Sequence, residues 1–345
     1  MERPKKIGVT MPILNQKMDE FPRMAAAADQ AGLDTVFDYE FYRNPFVIHA
    51  TTAAVTERIQ LATGLAVSAS RSPFEMANAA ADLDELSNGR TLLGMGIGSA
   101  DWADVFHGVD TSHPASRLRE YIHVLKLAWA YLGTGKPQTF EGKYYRFLNP
   151  EFNPFGHREL VRPHIPIYLA ALRPTMLRLA GEVADGVIGY LMNPQYVKDV
   201  VLPNVAAGAR KAGRDPSSID IASETICSVH PDRDEAYRRA RIHVGTYVAY
   251  PPGLPVIEHL GFEKQRLAVL DAYMREGVDG FQKAVGDDLI DAFSITGTPD
   301  ECRKKLAEYH EVMPHVVAHT PYVPGLTSEE SRDSYYQIVE AFARD

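Results

Sequence analysis

Cysteine is scarce: Cys227 and Cys302 are the only two among 345 residues. They are too few for a disulfide framework and lack zinc-type spacing, so a reducing cytoplasm is the expected compartment. No run of lysine and arginine breaks a formal net charge of -9, which excludes a general nucleic-acid surface. No apolar run reaches membrane-spanning length, and Met1-Glu2-Arg3-Pro4 leads straight into a strand pattern rather than a signal segment. A G-x-G-x-x-G turn after that first strand, which an open dinucleotide-binding sheet would need, is also missing. What remains is a globular profile, 45% hydrophobic and 23% charged, able to bury a large core.

The pattern is organised around Ile165-Pro166-Ile167-Tyr168-Leu169-Ala170-Ala171-Leu172-Arg173-Pro174-Thr175. Continuous apolarity suits a strand covered on both faces, and Pro174 suits the first turn of a helix. Met176, Leu177, Leu179, Ala180 and Val183 recur at helical spacing before Asp185-Gly186 ends the run. The turn between strand and helix therefore presents free N–H groups, a seat for a phosphate.

Similar units repeat along the chain. Strands are expected at 6–11, 34–38, 58–67, 90–98, from 165, at 187–190, 219–229 and 315–320. Helices are expected at 21–31, 46–55, 73–86, 115–131, 174–183, 194–212, 232–250, 299–311 and 328–343. Eight strands alternating with helices is the count of an α/β fold of the (β/α)8 TIM-barrel type. A minimal barrel needs roughly 250 residues, so one domain over 1–345 carries its surplus as insertions at about 133–163 and 250–291. The first holds four prolines and an aromatic cluster that reads as a packed excursion. The second is mostly helical and is expected to form a lid.

Ligands of such barrels bind at the C-terminal strand ends. Those ends read Met11, Asp38, Thr63-Gly64-Leu65, Gly96-Ile97-Gly98-Ser99, Ala170-Ala171-Leu172-Arg173, Gly189-Tyr190, Glu224 to Ser228, and His319-Thr320. Small residues dominate, which leaves room for a flat ring against the backbone. Neither a metal-ligand set nor a Ser/His/Asp set is apparent. Asp38 and His319 are the titratable candidates, whereas His49, His107 and His113 read as packing or surface residues and Cys227 as an inert strand cysteine.

The chain resembles the bacterial luciferase-like superfamily, within it the branch that uses the deazaflavin coenzyme F420, such as the methylenetetrahydromethanopterin reductases. The resemblance spans the whole length. It is carried by the run from Tyr168 through Arg173-Pro174-Thr175-Met176 to Asp185-Gly186-Val187, and by Ile295-Thr296-Gly297-Thr298-Pro299-Asp300-Glu301-Cys302. Leu61-Ala62-Thr63-Gly64-Leu65, Ser87-Asn88-Gly89-Arg90, Gly94-Met95-Gly96-Ile97-Gly98 and Phe140-Glu141-Gly142-Lys143-Tyr144-Tyr145 support it. The resemblance implies a cofactor ring against Asp38, Thr63, Gly64, Leu65, Gly96, Gly98 and Ser99, with its phosphate on the backbone of Leu172, Arg173, Pro174 and Thr175, and with Ala170 and Ala171 also among the cofactor-binding residues. It implies a non-prolyl cis peptide at Gly64–Leu65 or one residue on. The family's histidine after the strand-two aspartate is replaced by Tyr39, and its glutamate beyond the fourth-strand glycines by Ser99-Ala100-Asp101. Asp38, Tyr39, Asp101 and His319 are therefore the candidate proton-transfer residues.

The implied function is hydride transfer between the deazaflavin and an organic small molecule by a homodimer, without metal, nucleic acid or membrane. The alternatives are an FMN-dependent monooxygenase using reduced flavin and dioxygen, and a non-catalytic cofactor carrier. Arg71, Arg173 and Lys198 are candidate contacts for the polyanionic cofactor tail.

Overall fold

The computed structural model describes residues 4–14, 16–150 and 152–344, leaving aside the side chains of Ala100 and Asp101. Eight parallel strands form a closed barrel: β1 (Lys6–Thr10), β2 (Thr35–Asp38), β3 (Gln60–Thr63), β4 (Thr91–Gly96), β5 (Ile167–Ala170), β6 (Gly186–Tyr190), β7 (Asp220–Val229) and β8 (His315–His319). Each strand pairs with the next, and β8 returns to β1 with Thr10 opposite His319. The register sets Asp38 beside Thr63, and Glu224 between Tyr190 and Val317. The ends that matter for ligand binding thus come together by hydrogen-bond register alone.

Side-chain alternation along the strands divides the core in two. Phe37, Ala62, Leu92, Tyr168, Ile188, Ala222 and Val317, one from each of β2 to β8, fill the barrel interior. Outward residues such as Val36, Leu61, Leu93, Leu169, Val187 and Ile221 join the larger core beneath the helices. This is a packed barrel and not a pore.

The helices begin where the sequence supplies caps. Ser72 accepts a hydrogen bond from the N–H of Glu75 ahead of the helix Pro73–Leu86. Thr298 with Glu301 and Thr327 with Glu330 form capping boxes. Gly32, with φ of +76°, follows the helix Glu20–Gln30 as the left-handed residue that glycine accommodates.

Three elements differ from the sequence reading. Besides the two-residue strand Ala66–Val67 beside β4, a further parallel strand, Ser294–Gly297, pairs with the outer half of β7, so the second insertion ends in a strand. Ala100–His107 is a helix in a stretch to which the sequence pattern assigns neither helix nor strand. The first insertion contains the hairpin Phe140–Glu141/Arg146–Phe147, whose turn is held by Glu120 accepting from the N–H groups of Lys143, Tyr144 and Tyr145. Its aromatic cluster is only partly packed, since Phe152 and Phe155 are 77% and 94% exposed. Helices of the second insertion lie on the helix Arg233–Ala249, and at the start of that insertion a Cβ on Gly253 would lie 3.1 Å from Leu191 Cδ1.

The barrel floor contains a buried charge. Asp220 accepts from the Tyr168 hydroxyl at 2.5 Å and from Lys6 Nζ at 3.2 Å, while His315 Nδ1 lies 3.7 Å away. Burial opposes its ionisation, but His315 above all, with Lys6 and Tyr168, holds the carboxyl well below its ordinary value of 3.8. A depressed carboxyl stabilises the fold fully above the unfolded-state value and loses that contribution as acid is added below it. Asp220→Asn should therefore cost on the order of 3 kcal/mol at neutral pH. Urea unfolding should show the deficit narrowing between pH 5 and pH 3; a deficit independent of pH would contradict this account.

Candidate active site

The tips of β3, β4 and β5 converge on one side of the barrel mouth. The Gly64–Leu65 peptide is cis, at the position the resemblance implied. A Cβ on Gly96 would lie 2.9 Å from the Cβ of Ala170 and 3.2 Å from Leu65 Cδ2. One on Gly64 would lie 2.7 Å from the Phe37 ring and 2.8 Å from Glu224 Oε1. Gly98 turns away at φ of +87° against Val67. Thr63 is held by its hydroxyl donating to the carbonyl of Gly94 at 2.6 Å. These contacts leave a shallow, backbone-lined patch with Leu65, Ile97, Ser99 and Ala170 partly open at its surface.

Beside the patch, the helix Pro174–Val183 begins at Arg173 with no side-chain cap. Its first N–H groups have no intrahelical acceptor and face outward with positive potential. Arg173, Pro174 and Thr175 are exposed there, and the Tyr196 hydroxyl secures the turn by donating to the Leu172 carbonyl at 2.9 Å. Ala171 is tied to β6 by its N–H donating to Ile188. Of the proposed tail contacts, Arg173 and Lys198 are exposed, but Arg71 is committed to Glu40 and Glu75.

An aromatic and histidine wall closes the opposite side. Tyr39 stacks on His319, with ring centroids 6.1 Å apart, and His319 adjoins His243, Tyr247 and Tyr322. The hydroxyls of Tyr247 and Tyr322 are 2.5 Å apart. Burial drives the His319 imidazole down to about 3, and that of His243 well below its usual range, so both are neutral near pH 7. On the rim, the helix Ala100–His107 lays Trp102 on Phe41, centroids 3.9 Å apart, with Phe106 beyond it.

Buried polar atoms without a hydrogen-bond partner concentrate at this end. Apart from those of Arg266 and His315, they belong to Thr10, Asp38, Tyr39, Tyr190, Glu224, His243 and Thr320. Buried polar groups normally find partners, so their grouping marks a place built to receive a polar ligand. Asp38 turns to the outside of the barrel, 3.2 Å from His49 Nε2, which itself lies 2.9 Å from the Ala62 carbonyl. Burial raises the Asp38 carboxyl despite His49.

The structure thus brings Tyr39 and His319 together, sets Asp38 behind the patch, and gathers Thr63 to Ser99 and Ala170 to Thr175 around it. Asp101 lies in the helix Ala100–His107, but its side chain is outside the described residues. Glu224 is the residue that sequence reasoning named only as a strand end. It faces inward, two places along β7 from Ala222, and is 8% exposed. Asp220 and Glu224, the two charged residues of a strand otherwise without charge, were the available signal. His243, Tyr247 and Tyr322 had no such signal, because only tertiary packing turns them toward the mouth. Two surface hollows lie elsewhere, one lined by Lys6, Asp34 and Arg58 and one by Arg119, His123 and Lys126. Among the described residues no cluster of acidic, histidine or cysteine side chains could hold a metal ion, and no helix could cross a membrane.

The luciferase-like monooxygenase family model matches residues 5–315. The chain belongs to that family. It is 33% identical over 307 residues to the 5,10-methylenetetrahydromethanopterin reductase of Methanolobus tindarius, covering 87% of this chain and 90% of that one. The reductase of the same name from Archaeoglobus fulgidus is 31% identical over 331 residues, covering 92% and 94%. Among solved structures, the coenzyme F420-dependent tetrahydromethanopterin reductase of Methanopyrus kandleri superposes with a TM-score of 0.83 at 26% identity, covering 98% of both chains. An F420-dependent secondary alcohol dehydrogenase shares the fold at a TM-score of 0.73 and 21% identity. These likenesses agree with a barrel enzyme of the oxidoreductase type.

The wall's histidines set a pH dependence of stability. A histidine kept neutral by burial contributes nothing against acid until the unfolded chain starts to take up its proton near 6.5; below that value stability falls. His319→Phe should therefore lose less thermal stability than the parent between pH 7 and pH 5, as followed by calorimetry. Equal losses would show that His319 titrates normally in the fold.

Proposed function

We propose that this chain is a coenzyme F420-dependent oxidoreductase that passes a hydride between the deazaflavin and an organic small molecule. The observation that carries the reading is the convergence of the side-chain-poor tips at Gly64, Leu65, Gly96 and Ala170 beside an uncapped helix N-terminus. A planar ring needs the first feature and a phosphate the second. The F420-dependent relatives support the choice of deazaflavin over FMN.

The residues present fit such a group. Gly64, Leu65, Gly96 and Ala170 would bear the ring, with Thr63 and Ser99 at its edges. The N–H groups of Leu172, Arg173 and Thr175 would hold the phosphate, and Arg173 would meet the anionic tail. When bound, the deazaflavin supplies the hydride at its C5 carbon. The protein orients the partners and excludes water. Tyr39, Tyr190, Tyr247 and Tyr322 form the dry side of the mouth, and their polar tips orient the substrate. Titratable groups aimed into the mouth speak against a passive carrier. Two buried free thiols suit a reducing cytoplasm, and the family resemblance leads us to expect a homodimer.

Titration separates the readings. F420 should quench on binding with a Kd on the order of tenfold or more below that of FMN. FMN binding tightly while F420 does not would favour the monooxygenase instead, and binding of neither would favour the non-catalytic carrier. Arg173→Ala should weaken F420 more than a tail-less deazaflavin; equal weakening of both would remove Arg173 from the tail site.

A further inference from the structure

Glu224 is the buried acid that the reading above leaves without a task. Its Oε1 lies inside the barrel, where a Cβ on Gly64 would be only 2.8 Å away, directly beneath the patch assigned to the ring. That oxygen has no hydrogen-bond partner among the described residues. The titratable groups around it are Tyr190 from β6, Tyr247 from the helix Arg233–Ala249 and Tyr322 beyond β8, with the outward-turned Asp38 carboxyl of β2 acting on it only through its charge across the sheet. His319 on β8 and His243 stand behind Tyr247 and Tyr322. None of these is a cation at neutral pH, and no salt bridge to Glu224 exists among the described residues. A carboxylate buried without counter-ion or donor is the costly state, whereas the neutral acid is the tolerable one.

We propose that Glu224 stands as a carboxylic acid at the floor of the mouth and is the residue that delivers and recovers the proton accompanying hydride transfer. The assignment rests on the cofactor reading above for its partner, but its protonation is a property of the protein alone. Burial, reinforced by Asp38, pushes the carboxyl up to about 8, so it gives up its proton within the range where enzymes work. Hydride transfer to an unsaturated acceptor brings one hydrogen and the electron pair; the second hydrogen must arrive as a proton. Its source is the Glu224 O–H bond, whose electrons remain on the carboxylate. The residue retains enough exposure toward the mouth for solvent to restore the proton after turnover. In the reverse direction the carboxylate takes the proton released as the substrate is oxidised.

The test begins with the protein free of cofactor. Infrared difference spectra should show the C=O stretch of a protonated acid at pH 7, shifted by D2O and vanishing with a midpoint near pH 8. Glu224→Gln, nearly isosteric, should abolish this band, and Asp38→Asn should move its midpoint down. A band unchanged in Glu224→Gln overturns the proposal. With F420 added, affinity should fall as the pH rises through this midpoint, because a second ionised carboxylate opposes an anionic ligand. Glu224→Gln should bind F420 with a flat pH profile; a profile like the parent's overturns the placement beneath the ring. If F420 does not bind at all, the cofactor reading fails and the proton-delivery role fails with it. The infrared band would then still decide whether Glu224 is an acid. Circular dichroism and thermal melting of both variants separate these outcomes from misfolding.

Discussion

The structure depends on how closely the backbone must approach itself at the β3 and β4 tips. A Cβ on Gly94 would lie 1.9 Å from the Thr63 carbonyl oxygen, and the same oxygen cannot move because Thr63 is held across to β4 by its own hydroxyl. Glycine at 64, 94 and 96 therefore lets these strand tips pack against their neighbours, and leaves the tips themselves as bare main chain. One packing requirement thus produces both the closure and the main-chain surface at the tips. A larger residue would be excluded by sterics before any question of ligand arose.

The two sides of the mouth follow different physics. The patch side is made of main chain, so it offers flat surface, N–H groups and the positive end of a helix. The wall side is made of aromatic rings and neutral histidines sealed by the helix Arg233–Ala249 and the second insertion. Charge is nearly absent from the space between, with Glu224 as its principal titratable member. A low-dielectric space of this kind strengthens any dipole aimed at a reacting atom and suppresses leakage of protons to water. The same enclosure pushes the His319 imidazole down and the Glu224 carboxyl up, opposite consequences for two residue types of one desolvation cost.

Much of this was legible in the residue order because barrel strands are local, short and apolar on both faces, and because proline and glycine mark their exits. Pro174 and Pro73 announced helix starts, and Gly64, Gly96 and Ala170 announced a ring-sized space. Ser294–Gly297 escaped because four residues between a helix and a capping box carry too little periodicity to read as a strand. Ala100–His107 escaped for a similar reason, its single turn pair being flanked by polar residues. Glu224 was visible as an acid in a strand, but its inward direction depends on the β7 register. His243 and Tyr247 lie on a helix whose inward face only the insertion and β8 define. Register and long-range packing, rather than composition, determine these residues.

A crystal structure with F420 soaked into the protein tests the central claim most directly. The ring should lie within van der Waals distance of Gly64, Leu65 and Gly96, with its phosphate accepting hydrogen bonds from the backbone between Leu172 and Thr175. Density for the ring at the opposite end of the barrel, or a phosphate held only by surface lysine and arginine, would contradict the account.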